Sequence, residues 1–466
     1  MNPERVYSSL PVSMQSLAIS AYGLGVHCKR YGRGYESILK AVLERKDWPR
    51  SRILEFQAER VQALASHCHA KVPYYRAVFR ELNLAPSEIK SGGDLRKLPL
   101  LTKGAVQAAG GGLVSSDHRS RPHLHSHTSG TTGAGLKFLT DLSSHREQWA
   151  VWWRYRMSHG IRAGTWCAYF GGRTIVPPQQ RRAPFWRVNF PAKQVLYSTY
   201  HMSPEALPRY AEDLLRRRLP WIHGYPSALS VLARHVLDSG VRLKFQWVTV
   251  GAENLLPWQK RVIEEAFGCR CYQHYGSAEA VANFSECETG NLHADEDFSV
   301  VELVPTSDPE QFSIVGTSLS NYVMPLLRYE TGDLCGRPLE SCPCGKEGLI
   351  VSGIDGRQED YVILKDGSLL GRLDHVFKDA IHIREAQIRQ EKVGEIILRV
   401  VPGMNWSEDD ELGLLREFRV RAGDLLGVKF DLCDRLERTA AGKLRLVVSQ
   451  LPEGQLERVE REIHVA

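Results

Sequence analysis

The sequence has few cysteines, no long apolar run and little excess of either charge, and each shortage removes a class of protein. Ten cysteines among 466 residues lie far below the density of a disulfide scaffold. Residues 10–26 are moderately apolar, but Ser, Gln, Tyr and Gly interrupt them. They fall short of the roughly 20 apolar residues that a spanning helix needs. That stretch reads as a helix facing its own core or lying on a membrane surface. Nothing at the N-terminus reads as a signal peptide, so the expectation is a cytoplasmic protein with no membrane span. Sixty Lys and Arg against 54 Asp and Glu leave a net charge of +6. This suits an anionic nucleotide, and no basic run or motif points to nucleic acid. Repeats and low-complexity tracts are also missing.

What is present is an ordinary globular composition, 43% hydrophobic and 24% charged. The length allows two or three domains, because one core rarely grows past about 250–300 residues. The most informative stretch is His127-Thr128-Ser129-Gly130-Thr131-Thr132-Gly133-Ala134-Gly135-Leu136-Lys137. Ser129 to Gly133 hold three hydroxyls and two glycines. Glycine lets the backbone approach an oxyanion, and successive N–H groups form an anion-holding concavity. Taken alone, the pentapeptide is also compatible with a plain surface loop. The Walker A pattern is not met, because neither Gly130 nor Gly133 precedes Lys-Ser/Thr at the required spacing.

In chain order, residues 51–66 carry the apolar pattern of an amphipathic helix. Pro73 and Pro99 break helical patterns, so by themselves they mark linkers. Residues 144–158 set Trp149, Val151, Trp152, Tyr155 and Met157 on a helical pattern, a stripe that suits a core or a ligand box. Arg173, Arg181, Arg182 and Arg187 fall among Pro and Gln, as in a solvated basic loop or a contact for a second anionic substrate. Residues 227–237 form an apolar helix, and residues 245–250 a buried strand ending in Gly251-Ala252-Glu253. Alternating strand, loop and helix predicts an α/β sheet with ligand loops at its strand ends.

Four later stretches complete a set. These are Tyr272-Gln273-His274-Tyr275-Gly276-Ser277-Ala278-Glu279, Leu327-Arg328-Tyr329-Glu330-Thr331-Gly332-Asp333, Gly356-Arg357-Gln358-Glu359-Asp360 and Arg438-Thr439-Ala440-Ala441-Gly442-Lys443-Leu444-Arg445. With the residue 127–137 stretch they resemble, in order, the motifs of the adenylate-forming (acyl-activating) superfamily. Lys71 to Arg76 and Leu98 to Lys103 resemble the N-terminal signature of its phenylacetate-CoA ligase branch. The resemblance implies an α/β fold: a large multi-subdomain N-terminal α/β domain, residues 1–355, and a small mobile α+β C-terminal domain, residues 356–466. It also implies ATP and Mg2+ as cofactors, with a carboxylate converted to an acyl-adenylate and pyrophosphate released.

By the same resemblance, Ser129, Gly130, Thr131, Thr132, Gly133 and Lys137 hold phosphate, with Thr131 counted as catalytic. Gly251, Ala252, Glu253, Gly276, Ser277 and Arg357 face the nucleotide. Tyr275 packs on adenine, as a flat ring can, and Glu279 offers Mg2+ a hard oxygen. Asp333 accepts both ribose hydroxyls. Lys443 reaches the carboxylate and α-phosphate where negative charge crowds the transition state. Two departures stand out: Ala278 replaces the usual threonine, and Glu359 stands where the hinge acid usually is.

Glu286 to His293 and Gly371 to Lys378 resemble the subgroup named for capsular-polysaccharide biosynthesis. There, as here over Lys365 to Asp374, the usual Lys-x-Ser-Gly-x-Arg stretch is replaced. The implied partners are a small carboxylate and an acyl acceptor, which is CoA or an amine or hydroxyl. A dimer is compatible with the sequence. Cys287, His293, Cys342 and Cys344 supply three thiolates and an imidazole, a set able to close a tetrahedral Zn2+ site. Reduced buried cysteines remain an alternative, with Cys335 or the pair Cys269 and Cys271 as rival ligands.

Overall fold

The computed structural model describes residues 3–127, 136–177, 180–203, 205–306, 308–357, 362–365, 369–370, 373–377, 380, 382–438 and 444–451. They fall into two compact units. The first comprises Met1–Gly23, Gly164–Gln273 and Asp355–Ala466, and the second Leu24–Ala163 and His274–Ile354. The fold class is mixed α/β, with a sheet-based N-terminal region and a smaller C-terminal α+β region, as expected.

In the first unit, strand Cys167–Gly171 runs parallel to Gln194–Ser198 on one side and Trp221–Gly224 on the other. Trp247–Val250 follows in parallel, and then the first residues of Cys271–Gly276. Trp186–Asn189 closes the edge antiparallel. The inner strands are almost wholly buried, as parallel strands covered on both faces must be. Helices Pro226–Ser239 and Pro257–Phe267 each begin on a proline, whose missing N–H costs nothing there. Each ends on a left-handed glycine, Gly240 and Gly268, both with φ 68°. Gly251 follows directly on Trp247–Val250, so the Gly251-Ala252-Glu253 turn sits at a carboxyl strand end.

Further along the first unit, Ile383–Lys392, Glu395–Pro402, Gly427–Leu432 and Val447–Ser449 build a second, four-stranded sheet. Helix Glu408–Ala422 accompanies it, opened by a capping box between Ser407 and Asp410.

In the second unit, Ser299–Pro305, Gln311–Ser318 and Tyr329–Gly336 form an antiparallel sheet. Asn283–Glu286 and Leu292–Ala294 form a hairpin. Helix Leu142–Ser158 is held by a buried ion network. Arg154 donates to Asp295 and Asp297 at 2.8 Å each, and Arg45 donates to Asp297 at 2.6 Å. Arg60 grips both oxygens of Glu147 at 2.8 Å. Three arginines meet three carboxylates, so no buried charge is left uncompensated. His274 is pushed down to about 3 by burial and by nearby Arg156, so it is neutral between the Trp152 and Tyr155 rings.

The helices expected at residues 51–66, 144–158 and 227–237 are Arg50–Lys71, Leu142–Ser158 and Pro226–Ser239. Four readings change. Pro73 is no linker but opens helix Pro73–Glu81. Leu101 pairs with the strand at Tyr329, its N–H donating to the Arg328 carbonyl at 2.9 Å. Arg187 lies neither on a solvated face nor at a ligand contact. It is fully buried, and its guanidinium is spent on Gln15, Pro184, Trp186 and Gln180. Residues 12–26 belong to helix Val12–Tyr31, which faces the core with buried Gln15 and Gly23 and half-buried Ile19 rather than with a continuous apolar face. No described helix is long and apolar enough to cross a membrane.

Candidate nucleotide site and metal centre

The second unit brings together two motifs that lie far apart in the chain. Tyr275 Oη donates to Asp333 Oδ2 at 2.6 Å. The strand Tyr329–Gly336 aims the aspartate. Its register against Gln311–Ser318 shifts between Ser313 and Val315, where Thr331 donates to the Ile314 carbonyl at 2.8 Å. Gly332 takes φ 74°, open to glycine without strain. Such a bulge re-aims one side chain. Burial, and next the charge of Asp333, pushes the Tyr275 hydroxyl well above the usual phenol range. It therefore stays a donor at physiological pH.

Around this pair the motif residues have defined places. A Cβ on Gly276 would stand 2.6 Å from Asn283 Oδ1 and 3.1 Å from the Trp152 ring, so glycine is required. Ser277 is buried, and its Oγ accepts from the Val281 and Ala282 N–H groups at 3.2 and 3.4 Å. Its hydroxyl therefore shapes the turn. Ala278 is exposed. Glu279 receives Tyr329 Oη at 3.5 Å. Lys137 opens strand Lys137–Asp141 and is exposed. Sequence reasoning missed Tyr329 and Trp152. The first stood inside a quoted motif, and the second was hidden in a helical stripe.

In the first unit, Glu253 is engaged by protein. It accepts from Ser227 N–H at 3.2 Å and Leu444 N–H at 2.9 Å. Burial raises its pKa and Arg438 partly offsets this. Arg438 donates to Ser227 Oγ at 3.0 Å and to Glu385. Gly251 is buried, while Ala252 is exposed with φ 67°. Ser129, Gly130, Thr131, Thr132, Gly133 and Lys443 lie outside the described residues. Arg357 is described only as the end of strand Ile354–Arg357.

The hairpin of the second unit carries a compact donor set. Cys287 Sγ, His293, Cys342 Sγ and Cys344 Sγ all lie within 4.8 Å of one another. The two sulfurs of Cys287 and Cys342 stand 3.7 Å apart, and Cys344 Sγ stands 3.4 Å from His293 Nε2. Ligands at about 2.0–2.3 Å from a tetrahedral zinc stand about 3.5–3.8 Å apart, so the set fits that ion. Cys287 follows one hairpin strand and His293 sits on the other, the turn closing at Gly290 with φ 98°. Burial alone would raise the Cys342 thiol. Donors from Asn291 and Thr289 and the backbone at Cys344 instead bring it down to about 5, the thiolate that a metal takes. The rivals Cys335, Cys269 and Cys271 are not part of this group, the one such cluster among the described residues.

Residues 362–450 match the CapK C-terminal domain. Over 457 residues the chain is 24% identical to Protein CapK of Staphylococcus aureus, covering 96% of this chain and 99% of that protein. It is 25% identical to a phenylacetate-coenzyme A ligase of Thermus thermophilus over 351 residues, 68% of this chain and 73% of the relative. Its fold matches the crystal structure of a 2-hydroxyisobutyryl-CoA ligase in the postadenylation state. That match has TM-score 0.64 and 18% identity, over 88% of this chain and 91% of that one. The chain is thus similar in sequence to phenylacetate-CoA ligase and CapK relatives and in fold to an adenylate-forming CoA ligase. Its likeness to CapK runs nearly end to end.

Proposed function

We propose that the protein is an adenylate-forming ligase that uses ATP and Mg2+ to turn a small carboxylic acid into an acyl-adenylate, then passes the acyl group to CoA. The observation that carries this is the 2.6 Å pairing of Tyr275 with Asp333. The ring that would stack on adenine and the carboxylate that would take the ribose come from motifs resembling those that the superfamily uses for AMP. Asp333 would take the ribose hydroxyls, and Glu279 would hold Mg2+, which supplies positive charge near the phosphates. Ser129, Gly130, Thr131, Thr132, Gly133 and Lys137 would hold the phosphates, with Gly251, Ala252, Gly276, Ser277 and Arg357 around the nucleotide. Glu253, with its N–H donors, would support that turn rather than touch ligand. Lys443 would neutralise the crowding of negative charge when the carboxylate attacks the α-phosphate. No side chain acts as nucleophile, so the chain's contribution is positioning and electrostatics.

Domains 1–355 and 356–466 are proposed as the ATP-binding body and the lid that carries Lys443. Cys287, His293, Cys342 and Cys344 are proposed to hold a structural Zn2+. The match of residues 362–450 to the CapK C-terminal domain, where the usual post-hinge stretch is replaced, favours a second acceptor class. On that reading the acyl group passes to an amine or hydroxyl during polysaccharide or natural-product tailoring. A panel of aryl, hydroxy and short-chain acids with ATP, and with CoA, amine or hydroxyl acceptors, decides between them. Thioester without amide supports CoA, and amide or ester without thioester supports the second class. Absence of both from the whole panel contradicts the ligase reading.

A further inference from the structure

The turn at the end of strand Trp247–Val250 ties together two distant parts of the first unit, and Glu253 gives one carboxylate oxygen to each. Oε2 accepts the Ser227 N–H at 3.2 Å. That group lies in the first turn of helix Pro226–Ser239, where no intrahelical acceptor exists and the Tyr225 N-cap supplies none. Oε1 accepts the Leu444 N–H at 2.9 Å, from 191 residues further along the chain. Arg438 makes a second tie close by, donating to Ser227 Oγ at 3.0 Å and to Glu385 of strand Ile383–Lys392. Ser227 thus meets both, its N–H held by Glu253 and its Oγ by Arg438.

Leu444 differs from the residues that follow it. The Arg445 carbonyl accepts from Gln387 at 3.1 Å, the Leu446 carbonyl accepts from the Ile388 N–H at 2.7 Å, and Val447 pairs with Ile388. Those contacts stay within the C-terminal sheet, whereas Leu444 is tied to a strand end of the parallel sheet. A carboxylate suits this double duty because both of its oxygens only accept. A glutamine would present its NH2 to one of the two N–H donors, so the isosteric amide can make one tie and not both.

We infer that Glu253 is a positioning residue for acyl-adenylate formation: by holding the Leu444 N–H it anchors the chain next to Lys443 at the carboxyl end of the parallel strands. The inference rests on the adenylate-forming reading, in which Lys443 acts where the carboxylate meets the α-phosphate. Lys443 precedes Leu444 in the chain, and a misplacement of about 1 Å is enough to cost a placed charge much of its effect on rate. The anchor therefore serves the first half-reaction. Transfer of the acyl group from a finished adenylate brings no carboxylate up to a phosphate, so that step does not call on it. A residue that merely supported the turn would matter equally in both steps.

Two measurements on the full chain test this. Hydrogen exchange resolved to the Leu444 amide needs no substrate. In the wild type it should be at least about 100-fold slower than in an unstructured chain, and in Glu253→Ala it should rise toward the free rate with circular dichroism unchanged. With an acid from the panel, pyrophosphate exchange by Glu253→Ala should fall about 10- to 100-fold at nearly unchanged KM for ATP. Transfer from the synthetic adenylate of that acid to hydroxylamine should stay within about twofold of wild type. Glu253→Gln, which keeps one tie of the two, should lie between, and it carries the same comparison of half-reactions should Glu253→Ala not fold. An unprotected wild-type amide, protection that survives Glu253→Ala, or equal losses in the two half-reactions overturns the proposal. If no acid supports exchange in the wild type, the ligase reading falls, while the Leu444 amide still decides whether the anchor exists.

Discussion

Asp333 and Tyr275 are the residues on which the nucleotide assignment turns, and they have different substitutes. Asp333→Asn keeps the shape but trades an acceptor-only group for a half-donor. Losing charged hydrogen bonds worth about 1.5–3 kcal/mol should cut acid-dependent pyrophosphate exchange about 10- to 100-fold, mostly as a higher KM for ATP. Tyr275→Phe keeps the ring and loses one hydroxyl, so its loss should stay within about tenfold. Kinetics of the two variants side by side check this, and equal losses would contradict a stacking role for the ring. Lys443→Ala should lower exchange about 100- to 1,000-fold while equilibrium dialysis shows nearly unchanged ATP binding. Cys342→Ser should carry well below one equivalent of zinc by elemental assay, where the wild type purified without added metal carries about one.

At this scale the sequence was most readable where a residue's chemistry is its role. The Cys287 to Cys344 set could be proposed from ligand type, although the chain separation that the fold closes was invisible. Arg187 was misread for the opposite reason. Its neighbours looked like a loop, and only the folded backbone supplies the carbonyls and amides that satisfy a buried guanidinium.

At the scale of elements, helix Leu142–Ser158 and the segment around Asp295 and Asp297 are held by charge as well as by the apolar burial of Ala150, Val151 and Phe298. Removing one partner, as in Arg154→Met, leaves buried Asp295 without its arginine and Asp297 with Arg45 alone. It should destabilise by about 3–5 kcal/mol, measured by denaturant midpoint at constant slope. Within the network, burial raises Asp295, while Asp297 and Glu147 shift the other way and set the acid limb. Burial alone would raise Asp297, but Arg154 and Arg45 outweigh it and hold it well below the carboxylate range. Glu147 is lowered likewise by Arg60 and Arg45 against its burial. Their stabilisation is present above the unfolded values of about 4 and lost as pH falls further. His274, held down to about 3, takes up a proton in the unfolded chain below about 6.5 but not in the folded one. Stability should therefore begin to fall near pH 6.5, at up to about 1.4 kcal/mol per pH unit for that one group. His274→Gln should flatten this limb between pH 6.5 and 4 in denaturation series, and an unchanged slope would contradict it.

Periodicity found the long helices to within a few residues, because their apolar pattern and proline starts are local signals. It missed helix Pro73–Glu81, where a proline read as a breaker sits at the one position a helix tolerates. The sequence did mark residues 10–26 as a moderately apolar helix, but not which of its faces the fold would bury. Periodicity detects an apolar face without saying whether the fold or a partner covers it.

For the whole molecule, the order of the motifs along the chain foretold the adenylate-forming fold better than any single element did. The division into compact units did not follow from the sequence, because residues 1–23, 164–273 and 355–466 join one unit through contacts between segments far apart in the chain. Which acid is activated, and which acceptor takes it, depends on side-chain packing that the motifs do not encode. The central claim concerns which bond of ATP breaks. It is tested most directly by following the oxygen: an acid carrying 18O in its carboxylate is incubated with ATP, Mg2+, the enzyme and hydroxylamine as acyl acceptor, and the nucleotide product is weighed by mass spectrometry. The account predicts AMP bearing one 18O atom together with pyrophosphate, and loss of both in Lys443→Ala. ADP and phosphate, or AMP without the label, would contradict it.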